Sequence, residues 1–187
     1  MKKIIVIVGK TATGKDTLCK HLKEKYDIPM VVSYADRPMR DYEENGVQHI
    51  FISKEEMDEL EKQSDLLAYT KFPITNYRYC AVLGKLPGDV MTYILNPDGV
   101  EYLEKNANNL DAEFLTICLD APNSILRERA LGRGDKDSAF EQRLTSEFKQ
   151  FDEFYESGKY DLMIDACKSK EEVFAFADEV IEKFIKE

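Results

Sequence analysis

One junction near the start of the chain limits its fold more than any other feature. Residues 3–8, KIIVIV, form a continuous apolar run, and residues 9–17, GKTATGKDT, follow at once. Six apolar residues without alternation suit a strand buried on both faces, as in parallel sheets covered by helices. From Gly14 onward, Leu18, Cys19, Leu22 and Tyr26 recur at helical spacing. The opening of the chain therefore reads as buried strand, glycine-bracketed loop, helix.

Gly9, Gly14 and Lys15 stand at the G-x-x-x-x-G-K spacing of a phosphate-binding loop. Such a loop curls its backbone N–H groups around phosphates, the following helix adds a favourable partial charge, and the lysine reaches the β- and γ-phosphates. The candidate nucleotide set is Gly9, Lys10, Thr11, Ala12, Thr13, Gly14, Lys15, Asp16 and Thr17. The pattern departs from the usual one at Asp16, where a hydroxyl normally meets Mg²⁺, and the hydroxyl comes one place later at Thr17. A carboxylate is also a suitable hard ligand for Mg²⁺. Asp16 and Thr17 are the candidate metal contacts, and the plainer reading of Asp16 is an acidic residue answering the helix dipole.

Further strand-like runs follow at 30–34, 90–95, 113–119 and 160–165, with helical patterns at 98–107, 123–132, 138–156 and from about 169 to 186. Alternating strands and helices predict an α/β fold, a parallel sheet of about five strands with helices on both faces. In 138–156, Phe140, Leu144, Phe148, Phe151 and Tyr155 fall on one helical face. Residues 36–88 interrupt the alternation with an Asn45-Gly46 turn signal, short β-type runs and one acidic helix candidate, EEMDELEKQ. The expected organisation is a single domain over 1–187. Its core is 1–35, 89–128 and 157–187, with a small β-rich lobe at 36–88 and a lid at about 129–156.

A formal net charge of −10 argues against a nucleic-acid coat or a binder of anionic membranes. No stretch approaches the ~20 apolar residues that span a bilayer, and the short apolar start leads into Gly-Lys rather than a cleavage site. Cys19, Cys80, Cys118 and Cys167 are widely spaced, and three lie in apolar patterns, which predicts buried free thiols in a reducing cytoplasm. Neither His21 nor His49 has a partner at metal-ligand spacing.

Residues 31–53, VVSYADRPMRDYEENGVQHIFIS, place Arg37 and Arg40 three apart on a chain leaving a strand. Two guanidinium forks held together suit a phosphate monoester. Ser33, Arg37, Pro38, Arg40, Glu43, Asn45, Gly46 and Phe51 closely resemble the acceptor lobe of guanylate kinases, and Arg129, Arg133, Gly134, Asp137 and Arg143-Leu144 resemble that family's lid. The resemblance covers essentially residues 1–165.

The resemblance implies a P-loop NTPase fold and an enzyme that transfers the γ-phosphoryl group of ATP, with Mg²⁺, to a nucleoside monophosphate. GMP is the leading acceptor, and a cytoplasmic monomer or homodimer is expected. Lys15, Arg133, Arg143 and Arg129 would be catalytic. Ser33, Arg37, Arg40, His49, Arg78 and Tyr79, with Lys71 and Asn96, would bind the acceptor. The base-reading positions depart from the family. Lys71 or Thr70 stands for its glutamate, Asn96 for its aspartate, and His49 for a phosphate-contacting tyrosine. A site lacking those carboxylates selects guanine less strictly, so other nucleoside monophosphates and ribose 1,5-bisphosphate are alternative acceptors. A non-catalytic protein-binding module is a further alternative, disfavoured because Gly14, Lys15, Arg133 and Arg143 are present. An NTPase switch is disfavoured by the acceptor lobe.

Overall fold

A computed structural model of the chain describes residues 1–41, 43–63, 65–72, 75–106 and 110–186. Its main sheet has four parallel strands in the order β6-β1-β7-β8, where β1 is Lys2–Gly9, β6 Val90–Leu95, β7 Ala112–Asp120 and β8 Leu162–Asp165. The apolar run of β1 lies at its centre, and Ile4 through Val8 are fully buried. Ile5 and Ile7 face one core with Leu18, Leu22, Leu126, Phe140, Phe148 and Ile181. Ile4, Val6 and Val8 face the other with Leu67, Val100, Leu103, Phe151 and Phe154. Successive residues of a strand point to opposite faces, so an unbroken apolar run is what a strand between two cores requires.

Five helices wrap this sheet: α1 (Lys15–Tyr26), α3 (Pro97–Asn106), α4 (Asn123–Gly132), α6 (Phe148–Ser157) and α7 (Lys170–Lys186), while α5 (Asp137–Ser146) packs on α6. The strand expected at 30–34 is divided between two sheets. Met30 bridges Thr92 in parallel, with Val31 N donating to Thr92 O and Thr92 N to Pro29 O. The chain then leaves, because Tyr34–Ala35 (β2) finds partners in β3 (Ile50–Phe51) and β5 (Arg78–Val82). The fifth place of the main sheet is thus a single bridge. The helix expected over 98–107 runs from Pro97 to Asn106, and residue 107 lies outside the described residues.

The 138–156 pattern also resolves differently, as two helices. At Glu147 the backbone leaves helical geometry (φ −120°, ψ −36°), and α6 starts at the next residue. The shared apolar face survives the break: the Phe140 and Phe148 rings meet edge to face at 5.5 Å.

The second sheet, in the order β3-β2-β5-β4 with β4 at Leu66–Lys71, and helix α2 (Lys54–Gln63) make up the inserted lobe. Its Asn45-Gly46 turn forms as expected. Gly46 takes a positive φ of 87°, and Asn45 Oδ1 accepts the N–H of Phe51. Helix α3 packs against β4, which joins the lobe to the carboxyl end of β6. Cys19, Cys80 and Cys118 are buried and Cys167 is exposed, all as free thiols. No helix among the described residues is long and apolar enough to cross a membrane.

Candidate active site

The loop after β1 is shaped by its glycines and by Lys10. A Cβ on Gly9 would lie 2.6 Å from Thr13 Oγ1 and 2.8 Å from the Leu119 carbonyl, so only glycine fits. Gly14 turns into α1 with φ +99°. Ala12 also takes a left-handed φ, +63°, which costs a non-glycine residue about 1–3 kcal/mol. The Lys10 carbonyl gathers the loop, accepting from Thr13 Oγ1 at 2.8 Å and from Lys15 Nζ at 2.9 Å. Burial pulls the Lys15 ammonium down to about 8; Asp16 opposes that shift, and the charges of Arg143 and Arg133 add to it.

Arg133 and Arg143 meet this loop. Arg133, just beyond α4, donates to Thr11 Oγ1 at 3.0 Å, and Arg143 on α5 donates to the same atom at 2.6 Å. Arg129 hydrogen-bonds the Ala166 carbonyl at 2.8 Å and, with Arg133, lines a cleft over Lys15, Asp16 and Thr17. Asp16 and Thr17 are exposed at its floor, and the Asp16 carboxylate accepts no hydrogen bond among the described residues. Among the described residues, no group of three or more His, Cys, Asp or Glu could hold a metal. That donor set fits Mg²⁺ held by one carboxylate together with phosphate oxygens and water.

The residues expected at the acceptor are arranged around Arg37, which is 7% exposed. Its guanidinium forks onto Glu43 with two contacts of 2.6 Å, and its Nε donates to Tyr79 Oη at 2.8 Å. Tyr79 therefore keeps its own proton to donate. Glu43 also accepts the backbone N–H of Arg40, whose side chain is exposed. His49 packs edge-on against Tyr79 and Phe51. Its Nδ1 is buried without a partner. Burial, with Arg37 next in weight, depresses its pKa to about 4, so the ring is neutral at pH 7.

Comparison with known proteins gives similarities over the chain as a whole. The family model described as guanylate kinase matches residues 1–86. A guanylate kinase of Helicobacter pylori is 28% identical over 193 residues, covering 96% of this chain and 88% of its own. One from Fusobacterium nucleatum is 28% identical, covering 86% of each chain. The solved guanylate kinase structure from Anaplasma phagocytophilum shares the fold, with a TM-score of 0.65 at 18% identity over 99% of this chain and 85% of its own. The chain is similar to guanylate kinases in sequence and shares their fold.

Several residues expected at the acceptor have other partners in the structure. Arg78 does not face the phosphate cluster. Its Nε donates to buried Asp36 at 2.6 Å, and its other nitrogens reach Asp58, Glu61 and the Lys54 carbonyl, fastening β5 to α2. The acidic face of α2 outcompetes the pocket for this cation. Ser33 is 8% exposed and hydrogen-bonds Tyr93 Oη at 3.1 Å within the core. Lys71 is exposed at the end of β4, because strand alternation turns Thr70 inward instead. Asn96 Nδ2 donates to Thr70 Oγ1 at 3.1 Å, and its Oδ1 accepts Gly99 N at the start of α3. Of the two residues the sequence left open, Thr70 is the one that meets Asn96.

Lys10, which the motif reading gave only as a member of the loop set, and Glu147, which it missed, both have contacts the pattern did not show. Lys10 is 4% exposed, and its ammonium sits between Asp152 Oδ1 at 2.5 Å and Asp120 Oδ1 at 3.8 Å. A single lysine in a variable loop position carries no motif signal. Glu147, at the break between α5 and α6, is pushed up by burial and drawn back by Arg143, Lys15 and Arg40. It therefore lies in the field of both the nucleotide and the acceptor cations, a position the periodicity of 138–156 conceals. A larger groove of about 580 Å³, lined by Tyr34, Ile52 and the acidic side of α2, contains none of these residues.

Proposed function

We propose that this protein transfers the γ-phosphoryl group of ATP to the phosphate of a nucleoside monophosphate, with GMP as the first candidate acceptor. The observation that carries this reading is the pair of cation clusters. Lys15, Arg133 and Arg143 converge on the loop, while Arg37, Arg40 and Tyr79 form a separate anion grip in the lobe. Phosphoryl transfer needs an in-line approach of two anions and stabilisation of charge spread over the transferring group. Lys15 would hold the β- and γ-phosphates, and Arg133 and Arg143 would neutralise charge developing on the equatorial oxygens. Arg37, fixed by Glu43, would present its remaining N–H beside Arg40 and the Tyr79 hydroxyl. Neutral His49 would fill the pocket wall without adding charge.

Magnesium, when bound, would supply charge neutralisation to the triphosphate, and Asp16 would be the carboxylate that holds it, with Thr17 beside it. Asp16→Asn is expected to weaken the magnesium dependence of turnover, and an unchanged magnesium titration would remove Asp16 from that role.

The Thr70–Asn96 pair favours a second reading of the acceptor. Neither residue is a carboxylate, so the N–H donors of guanine lack charged acceptors there, and an AMP, CMP, UMP, dTMP or ribose 1,5-bisphosphate acceptor fits the same phosphate grip. A coupled ADP-release assay with ATP, Mg²⁺ and each acceptor in turn, GMP and dGMP included, tests both readings. Stimulation by one acceptor is the expected outcome. ADP release that no acceptor raises above the ATPase background would sink the kinase reading.

A further inference from the structure

The two lid arginines come from different helices and converge on one oxygen. Arg133 Nη2 lies 3.0 Å from Thr11 Oγ1, and Arg143 Nη1 lies 2.6 Å from it. Two guanidinium ions sharing one acceptor repel each other, and each lowers the affinity of the nearby Lys15 for its proton. Asp135 Oδ2, 2.6 Å from Arg133, offsets part of that repulsion. The remainder is held by the hydroxyl.

A threonine hydroxyl accepts two hydrogen bonds and donates one. Both acceptor sites of Thr11 are filled by the arginines, so its single proton is left to donate into the loop that the nucleotide phosphates would occupy. We infer that Thr11 is a positioning residue that fixes Arg133 and Arg143 for the γ-phosphoryl group and donates its own hydroxyl proton to a phosphate oxygen. The inference rests on the kinase reading above but gives Thr11, named there only as part of the loop, a specific role. The glycines and the lysine of the motif give the loop its shape. Thr11, in a variable position, sets where the lid docks.

The geometry makes a distinctive demand. Arginines held at the γ-position act on ATP and not on ADP, and they act on charge in the transition state more than on acceptor binding. Thr11→Val keeps the shape of the side chain and removes the hydroxyl, whereas Thr11→Ser keeps the hydroxyl. Loss of one preorganised donor set of this kind costs roughly 10²-fold in turnover. Thr11→Val is therefore expected to lower kcat by about that factor, with KM for the acceptor within about twofold, and Thr11→Ser to retain kcat within about threefold.

Calorimetric titration with a non-hydrolysable ATP analogue and with ADP gives a second readout that needs no turnover. The preference for the analogue is expected to fall about tenfold in Thr11→Val and to persist in Thr11→Ser, and Thr11→Val combined with Arg143→Gln to lose no more than the worse single variant. Equal losses in the valine and serine variants, additive losses in the double variant, or an unchanged preference would each overturn the role of Thr11. A wild-type protein that transfers no phosphate, yet shows the expected shift in nucleotide preference, would overturn the kinase reading and leave this one standing.

Discussion

The ammonium of Lys10 lies 2.5 Å from Asp152 Oδ1, joining the phosphate loop to the helix directly behind the break at Glu147. It is also held over the rings of Phe148 and Tyr155, at 5.4 and 5.7 Å. Because the Lys10 carbonyl binds Thr13 and Lys15, one residue fixes both the loop and the foot of the lid.

Lys10→Met keeps the aliphatic stem and removes the charge. Asp152 is half-exposed and rehydrates, but Asp120 Oδ1 is buried without a hydrogen-bond partner and loses its nearest counter-charge. The expected cost is about 1–3 kcal/mol, and thermal unfolding should fall by about 2–4 °C per kcal/mol for a chain of this size. An unchanged Tm would show that the pair contributes no net stability.

Arg37 and Glu43 make the acceptor grip sensitive to acid. Hydrogen bonds from Arg37 hold the Glu43 carboxyl at about 2, against 4.5 for an ordinary glutamate. A carboxyl depressed in the folded state contributes stability that is complete above about pH 4.5 and is lost as pH falls towards about 2. Glu43→Gln should flatten the stability profile across that window and cost about 3 kcal/mol at pH 7 by leaving Arg37 buried without its counter-ion. Urea unfolding midpoints of the two proteins from pH 7 to pH 2 check both effects. Parallel profiles would contradict the assignment.

Much of this was legible in the sequence where the pattern is local. Continuous apolar residues, glycines at fixed spacing and an Asn-Gly turn each act over a few residues, and β1, the loop and the lobe turn formed accordingly. What sequence could not show depends on which neighbour wins a side chain. Arg78 goes to Asp36, Asp58 and Glu61 on elements up to 42 residues away. Lys71 and Thr70 are adjacent in sequence but face opposite ways once β4 pairs with β5. The break at Glu147 was hidden because Phe140 and Phe148 stay on a common face across it.

Under the proposed function, Lys15 would make nucleotide binding proton-linked. Its pKa in the free protein is about 8, and triphosphate charge raises it on binding. Binding of the non-hydrolysable ATP analogue should take up protons above about pH 8 and almost none at pH 6, measured by calorimetry in buffers of different ionisation enthalpy. In the free protein the sign is that of a depressed lysine. The unfolded chain holds more protons between about pH 8 and 10.5, so stability attributable to this group rises with pH over that range. Lys15→Met should abolish the proton uptake, and uptake that persists in the variant would assign it elsewhere.

Arg78 should behave as a structural residue. Arg78→Met leaves Asp36, whose side chain is 1% exposed, without its counter-charge. The expected loss is about 3–5 kcal/mol of stability, with KM for the acceptor changed by less than about threefold at a temperature where the variant is folded. A selective rise in acceptor KM with little change in Tm would return Arg78 to the phosphate pocket.

The base-edge positions offer a gain-of-function test. Asn96→Asp keeps the Oδ1 acceptor that caps α3 through Gly99 N, and Thr70→Glu extends a carboxylate from the adjacent strand. Together they replace a self-paired neutral couple with two acceptors for the N–H donors of guanine. A site that hydrogen-bonds such donors discriminates far more than an apolar pocket, and each added pair is worth about 1–3 kcal/mol. The ratio of kcat/KM for GMP over AMP should therefore rise at least about tenfold in the double variant. The single Asn96→Asp variant should give the smaller part of that gain, because its Oδ1 is already engaged by Gly99 N. A ratio that does not move would mean that the acceptor base does not reach the Thr70–Asn96 pair.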